Sequence, residues 1–478
     1  MWGFMESEDS SLQRAEVPAQ QDAERGRVLA LLKRHGWNAT SFQVLEPHFA
    51  YWCDADDADD AVVAYFDTGG AWVAAGPPVC PLERLSEVTA RFVAAARASG
   101  RRASFFATEE RFNTATGYPS LLIGEQPVWN PQRWPDALKA SKSLREQLRR
   151  ARARSVVVRR VGPAEPEGPE AHVRHSIETL IRKWLGSRQL APMGFLVHVE
   201  PFAFSAERRY FVAELEGVPV AFLAAVPVYA RGGWLFEDLV RDRNAPNGTA
   251  ELLIDAAMRT VADEGSEWVT LGLVPLSGRI RGFLRLARRG AAPLYDFEGL
   301  RAFRTRLRPA SWEPLYLSFP PGGRGPVALF DALAAFARGG FIRFGLETLS
   351  RGPSLVIQLL AVMLVPWTAL LAAADTDVWF PAPWVKWGWV SFDVMLAVAL
   401  FALAQRWRHW LATMIAVLVT TDAALTLVEA IVFNVPRART ALDWVALGIA
   451  TCAPAVAAAL VWSGRAHRAR QSDQHAVL

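Results

Sequence analysis

Cysteine is scarce in this chain. Its 478 residues hold three, Cys53, Cys80 and Cys452, with no pair at metal or redox spacing. That small number and spacing argue against a disulfide framework and fit a reducing compartment. Of the eight histidines, His172 and His175 lie three apart with no Cys, Asp or Glu beside them at ligand spacing. They read as surface residues, and neither a metal nor a cofactor is expected. Lysine is nearly missing: of 52 basic residues only five are lysine. Guanidinium groups suit bidentate phosphate contacts, so a net charge of +4 and a pI near 9.1 are compatible with nucleic acid, phospholipid headgroups or the cytoplasmic loops of a membrane protein. The first 21 residues lack the basic and apolar regions of a signal peptide, which predicts a cytoplasmic soluble part. Long apolar runs are absent before about Arg351 and dominate after it.

At about 150 residues per domain the length suggests about three folding units. The spacing of apolar residues predicts a helix over 24–36, a hairpin of 61–66 with 71–75 through Asp67-Thr68-Gly69-Gly70, a helix over 82–99 and a strand over 103–107. Lys139 to Arg154 reads as one helix in which Lys139, Lys142, Arg145, Arg149, Arg150, Arg152 and Arg154 face a single acid, Glu146. It is either a solvated basic helix or a phosphate-backbone surface for RNA. A strand over 155–161 precedes a Pro/Gly/Glu linker, Gly162 to Pro169. Beyond it follow a helix over 170–185, a hairpin over 210–228 pivoting at Glu216-Gly217, a strand over 234–240, a helix over 249–264 and a strand over 268–274. The expected organisation is a disordered segment 1–23, a first domain 24–161, a second domain 170–320 carrying the active site, four transmembrane helices within 352–464 and a cytoplasmic tail 465–478. The class is α/β or α+β, as tandem N-acetyltransferase-like domains followed by a four-helix membrane region.

Chemistry concentrates in Phe236 to Gly278. The strand there ends in Asp238 and Arg241, and the loop Asn244 to Thr249 opens a helix whose first N–H groups suit an anion. Asp238 and Arg241 are the candidate catalytic pair, with a strand-end salt bridge as the bland reading. Asn247, Gly248 and Thr249 are candidate substrate contacts. An acyl-CoA-dependent N-acyltransferase is one reading. However, the usual pyrophosphate loop is not reproduced, because Arg243 is followed by a proline-containing turn and a single glycine. A non-catalytic lipid- or RNA-binding membrane protein is another. Further on, Tyr295 to Leu317 reads as an amphipathic helix with a strand, and carries Glu298, Arg301, Arg304, Arg306 and Arg308.

Four apolar stretches are long enough to span a bilayer of about 30 Å: Leu355 to Ala374, Val390 to Gln405, Trp410 to Phe433 and Trp444 to Ser463, with tryptophans at their edges. Basic residues before the first, between the second and third, and after the fourth predict that both termini are cytoplasmic. Asp422 and Glu429 share one face of the third span. They suggest a lipid or proton path, helix packing, or an oligomer or membrane partner.

These residues resemble the catalytic domain of the phosphatidylglycerol lysyltransferases, or aminoacyl-phosphatidylglycerol synthases. The resemblance rests on Asp238-Leu239-Val240-Arg241, Ala245 to Thr249, Leu271 to Leu276, and Phe297 to Arg301 continuing through Trp312-Glu313-Pro314. Weaker echoes lie at Gly124-Glu125 and Gly194-Phe195. It spans about Val28 to Leu317. It implies transfer of an amino acid from aminoacyl-tRNA to a hydroxyl of phosphatidylglycerol, in the inner membrane of a bacterium. Asp238 and Arg241 then correspond to functional motif residues, and Glu298, Arg301, Arg304 and Arg306 become substrate contacts. The basic stretch Lys139, Lys142, Arg145, Arg149, Arg150 and Arg152 becomes the tRNA surface. Two features depart from the pattern: arginines stand at 304 and 306 where lysines are usual, and the membrane spans follow the catalytic part instead of preceding it.

Overall fold

The computed structural model describes residues 22–53, 60–162, 171–188, 190–191, 193–197, 199–291, 295–337, 339–351, 353–405 and 408–476. Most of the expected N-terminal segment 1–23 lies outside them, and residues 22 and 23 already belong to a helix. Two compact units form, one from Met1–Arg188 with Pro192–Phe341 and one from Gln189–Ala191 with Ile342–Leu478.

In the first unit the strands are β1 (Ala50–Cys53), β2 (Val62–Asp67), β3 (Ala71–Ala75), β4 (Arg102–Thr108), β5 (Ser120–Trp129), β6 (Val156–Val161), β7 (Arg209–Leu215), β8 (Val218–Val228), β9 (Gly233–Arg241), β10 (Trp268–Thr270), β11 (Val274–Pro275) and β12 (Ser311–Ser318). They join in one sheet ordered β1-β2-β3-β4-β12-β5-β10-β9-β8-β7-β6, with β11 also on β5. The helices are α1 (22–35), α2 (Leu85–Ala98), α3 (Glu110–Thr116), α4 (Trp134–Ala140), α5 (Lys142–Ala153), α6 (Ala171–Gly186), α7 (Thr249–Asp263), α8 (Gly282–Ala291), α9 (Phe297–Arg306) and α10 (Gly325–Phe336). Helices cover both faces of the sheet: α5 and α7 pack on Phe211, Leu223 and Phe236, while α6 packs on Val212, Phe222 and Val240. Burial of these alternating side chains is what holds each layer in register.

The hairpin β7–β8 turns at Glu216 and Gly217, both left-handed with φ of 53° and 79°, as a two-residue hairpin turn requires. The single basic helix expected over 139–154 is instead two. Ser141 is extended, and its Oγ accepts from Leu144 N at 3.2 Å, capping α5; Lys139 therefore stands on α4. The strand expected over 268–274 stops at Thr270. Gly272, with φ of 73°, turns the chain away, so that β11 leaves β9 and pairs with β5. β9 and β10 thus run parallel only where Gly233–Leu235 meets Trp268–Thr270, and β9 continues to Arg241 paired with β8.

The halves also exchange elements. β12 comes late in sequence but sits between β4 and β5, and β6 precedes the linker but pairs with β7. Each exchange gives an otherwise open strand edge a partner.

The second unit is helical: α11 (Phe341–Arg351), α12 (Pro353–Ala373), α13 (Thr376–Trp379), α14 (Pro383–Gln405), α15 (His409–Glu429) and α16 (Ala441–Ala476). Three stretches, Pro383–Ala404, His409–Arg437 and Asp443–Trp462, are long and apolar enough to cross a membrane; α12 adds the shorter apolar stretch Leu360–Ala373 among the described residues. The expected tail at 465–478 continues α16 as far as Ala476. On α15, Glu429 Oε2 accepts from Trp389 Nε1 at 2.9 Å, and Asp422 Oδ1 accepts from Thr426 Oγ1 at 3.3 Å. Both acids therefore have partners within the bundle.

Candidate active site

β9 carries an irregularity that decides its chemistry. Opposite β8 the register shifts between Ala224–Asp238 and Ala225–Phe236, leaving Glu237 as the extra residue of a β-bulge. Phe236 and Leu239 lie in the cluster under α7, whereas Asp238 pairs across from Ala224 and Val240 lies with it in the cluster under α6. The bulge thus turns Glu237 and Asp238 away from α7 together. Arg208, just before β7, meets Glu237 at 2.6 Å, with both side chains almost fully buried. Its Nε donates to Ala203 O at 2.8 Å and its guanidinium lies 5.1 Å from the Phe42 ring centre.

Glu46, which ends the turn Ala39–Leu45, completes the group. Burial, with the nearby Glu237 and Asp238, pushes its carboxyl up to about 10. Burial first and Glu237 second raise Asp238 well above the ordinary carboxylate range, against the pull of Arg208. Glu46 Oε2 and Glu237 Oε1 are buried without a hydrogen bond, and His48 Nδ1 stands 3.6 Å from Glu46 Oε2. One guanidinium therefore faces three carboxyl groups, and Asp238 holds a proton more readily than an exposed aspartate. Such a group is suited to taking up and giving back a proton in general acid–base chemistry.

Arg241 does not join this group. It pairs across from Ala221, which belongs to the cluster under α7, so the strand places it on the opposite face from Asp238. Its side chain makes no hydrogen bond or ion pair among the described residues, and the residue ends β9 half-exposed. The loop after it is engaged internally. Asp242 is bonded by Lys183 at 2.7 Å, and Thr249 Oγ1 donates to Pro246 O at 2.7 Å. Gly248 adopts φ of 91° with its Cα so close to α5 that a Cβ would lie 2.0 Å from Gln147 O. Gly248 and Thr249 are buried and Asn247 is exposed, so the start of α7 closes against α5.

A second constellation gathers on β5. Glu125 pairs with Val274 on one side and Pro314 on the other, and Gly124 with Pro275 and Leu315. A Cβ on Gly124 would stand 2.2 Å from Val274 O, so only glycine lets β11 approach. Arg301 on α9 donates to Glu125 Oε2 at 2.7 Å and lies 4.6 Å over the Trp312 ring. Arg304 donates to Gly272 O at 2.6 Å, at the point where β10 parts from β9; burial draws its guanidinium down to about 10, opposed by the nearby Tyr295. Beside them Glu298, Arg301, Ser277, Arg288 and Thr305 line a cavity of about 470 Å³. Arg306 is exposed, 6.0 Å from the Phe303 ring centre.

The basic residues divide by duty. Arg149 and Arg150 grip Glu146 at 2.9 and 3.0 Å. Arg145 caps the end of α4 through Leu138 O at 2.7 Å. Arg152 holds the buried Asp255 of α7 at 3.1 Å, and Lys139 stands 3.7 Å from Asp136. Lys142 and Arg154 are exposed with no ion pair among the described residues.

Glu46, Arg208, Glu237, Ser277 and Arg288 were not legible as site residues. Glu237 adjoins Asp238, yet strict alternation would set the two on opposite faces, and only the bulge aligns them. Glu46 and Arg208 reach the group from segments about 190 and 30 residues away from it.

A mixed sheet covered by helices, two parallel strands that part, a buried acid on the longer one and a basic cavity beside the shorter define an N-acetyltransferase-like domain joined to apolar helices. Residues 29–319, more than half of the chain, match the family described as phosphatidylglycerol lysyltransferase, C-terminal, and the chain belongs to that family. It is 25% identical over 342 residues to an uncharacterised protein of Corynebacterium glutamicum, covering 66% of this chain and 42% of that one. It is 30% identical over 158 residues to a phosphatidylglycerol lysyltransferase of Bacillus subtilis, covering 31% and 18%. The chain thus spans less than half the length of these relatives. Among solved structures, the C-terminal domain of a putative lysylphosphatidylglycerol synthetase from Agrobacterium fabrum has the same fold, with a TM-score of 0.57, 21% identity, and coverage of 67% of this chain and 100% of that one. The structure of L-PGS from Bacillus licheniformis gives 0.56, 20%, 65% and 95%.

Proposed function

We propose that the chain is a membrane-bound aminoacyltransferase that moves an amino acid from aminoacyl-tRNA to the headgroup hydroxyl of phosphatidylglycerol or a related lipid. The observation that carries this reading is the convergence of Gly124-Glu125, Val274 to Ser277, Arg301 and Trp312 to Pro314 around β5, in a chain of the lysyltransferase family. In the reaction the lipid hydroxyl oxygen attacks the aminoacyl carbonyl carbon. A new ester C–O bond forms, the C–O bond to the terminal ribose of the tRNA breaks, and the hydroxyl proton ends on the ribose oxygen. Asp238, with its raised affinity for a proton, carries that proton between the two oxygens. Arg241, at the end of β9, binds a phosphate of the donor or acceptor, and the cavity beneath Arg288 and Arg301 takes a second anionic group.

The acyl-CoA reading is disfavoured by the closed packing of Gly248 and Thr249 against α5, where such an enzyme needs an open pyrophosphate loop. Lys142, Arg149 and Arg150 present the tRNA surface. The soluble unit and both ends lie on the cytoplasmic side of a bacterial inner membrane, as the arginines between the apolar stretches favour.

Expression in a bacterium without aminoacylated lipids should yield an amino-acid-modified phosphatidylglycerol, detected by lipid mass spectrometry. Asp238→Ala should lower its formation by about 100-fold or more, the range typical of a positioned acid–base group, and Arg241→Ala, which removes a phosphate contact on the other face of the strand, by about 10-fold. Unmodified lipid from a folded, membrane-inserted chain with charged tRNAs present would refute the proposal.

A further inference from the structure

α8 has a surface that the described residues do not cover. Around its helical turns Phe283, Leu284, Leu286, Ala287 and Ala291 fall on one side, and Arg285, Arg288 and Arg289 on the other. The protein body takes only one edge of the apolar side. Leu284 is 1% exposed, while Phe283 is 42% and Leu286 69% exposed. Arg288 turns inward, towards Leu276 O at 3.5 Å and the cavity beneath α9. Five arginines and no acid lie between Arg279 and Arg289, and Arg279, Arg281, Arg285 and Arg289 are exposed.

A helix made only to be solvated would put polar groups where Phe283 and Leu286 stand. A protein partner would have to be both apolar and strongly acidic. Two bulky apolar side chains flanked by guanidiniums match the boundary between acyl chains and phosphate headgroups, and among the described residues three helices are long and apolar enough to cross a membrane. We propose that α8 lies in the headgroup layer of an anionic bilayer, with Phe283 and Leu286 dipped to the acyl boundary and Arg279, Arg281, Arg285 and Arg289 on lipid phosphates. The cavity that Arg288 lines then opens beside the lipid surface. This docking does not depend on the transfer chemistry.

The test uses the full chain with Cys53, Cys80 and Cys452 replaced by Ala and Leu286→Cys carrying an environment-sensitive fluorophore. It is reconstituted in nanodiscs of phosphatidylcholine alone or mixed with phosphatidylglycerol, each with nitroxide-bearing lipids. In the anionic discs the emission should shift to the blue and be quenched by the lipid-borne nitroxide. In an Arg285→Gln/Arg289→Gln variant the ratio of docked to undocked helix should fall about 25-fold, at about fivefold for each arginine removed, and quenching should weaken in step; in the zwitterionic discs it should weaken at least as much. An unchanged melting transition for that variant separates a failure of docking from unfolding. Emission typical of water in both discs would overturn the proposal, and so would a blue shift insensitive to the lipid nitroxide, which would mark a covering protein or second copy. Equal quenching in both discs would overturn the role of the arginines. Asp238→Ala, which blocks the proposed transfer, should leave the quenching unchanged.

Discussion

At Glu46 a buried carboxyl with two acidic neighbours is pushed up to about 10 from an ordinary value of 4.5. The folded chain therefore keeps a proton that the unfolded chain releases. Stability from this group is complete below about 4.5 and is lost as the pH rises towards about 10, by at most ~1.4 kcal/mol per pH unit for one proton. Glu46→Gln keeps the shape and cannot ionise. Thermal melts between pH 5 and 9 should show the variant more stable than the parent at the alkaline end, with the gap closing towards pH 5; parallel profiles would remove Glu46 from the proton-holding group. The residue types were readable in the sequence, but their environment was not. Asp238 stood out by its place at a strand end, whereas its raised proton affinity comes from burial first and then from Glu237, which a one-residue bulge aligns with it.

At the scale of the element, α5 shows why a charge run is a poor guide to duty. Arg145 and Arg152 spend their guanidiniums on the end of α4 and on Asp255, and Ser141 cuts the run in two. What remains for a polyanion is Lys142 and Arg154, without ion pairs among the described residues, with Arg149 and Arg150, which share Glu146. For tRNA binding to the detergent-solubilised full chain, Lys142→Gln/Arg149→Gln/Arg150→Gln should flatten the dependence of log affinity on log salt by about 2, at roughly 0.7–0.9 for each phosphate that is no longer neutralised. Arg152→Gln should instead lower the melting transition with little change in that slope, because it loosens α5 from α7. An unaltered slope in the triple variant would move the tRNA surface elsewhere. The helices and hairpins themselves were largely legible from spacing and turn residues, as at Glu216-Gly217. Missed were the break at Gly272 and the cap at Ser141, where a local backbone conformation overrode an unbroken pattern of side chains.

At the scale of the whole molecule, the proposed orientation of the apolar helices rests on arginines in their connecting segments. In intact cells, single cysteines placed at Arg408 and Thr440, in the background lacking Cys53, Cys80 and Cys452, should differ. Thr440→Cys should react with a membrane-impermeant maleimide, and Arg408→Cys only after permeabilisation. The reverse pattern would place the soluble unit outside. By itself the sequence determined that a mixed α/β unit precedes apolar helices, and it marked four motif segments, because side-chain periodicity and residue chemistry are local properties. Tertiary structure alone decided that β12 enters between β4 and β5 and that β6 crosses to β7, because strand pairing satisfies backbone groups that any sequence presents alike. It also decided that Asp238 and Arg241 face apart, that Glu46 and Arg208 surround the acid, and that Phe283 and Leu286 remain uncovered. Each of these depends on which surfaces the rest of the chain leaves buried or bare.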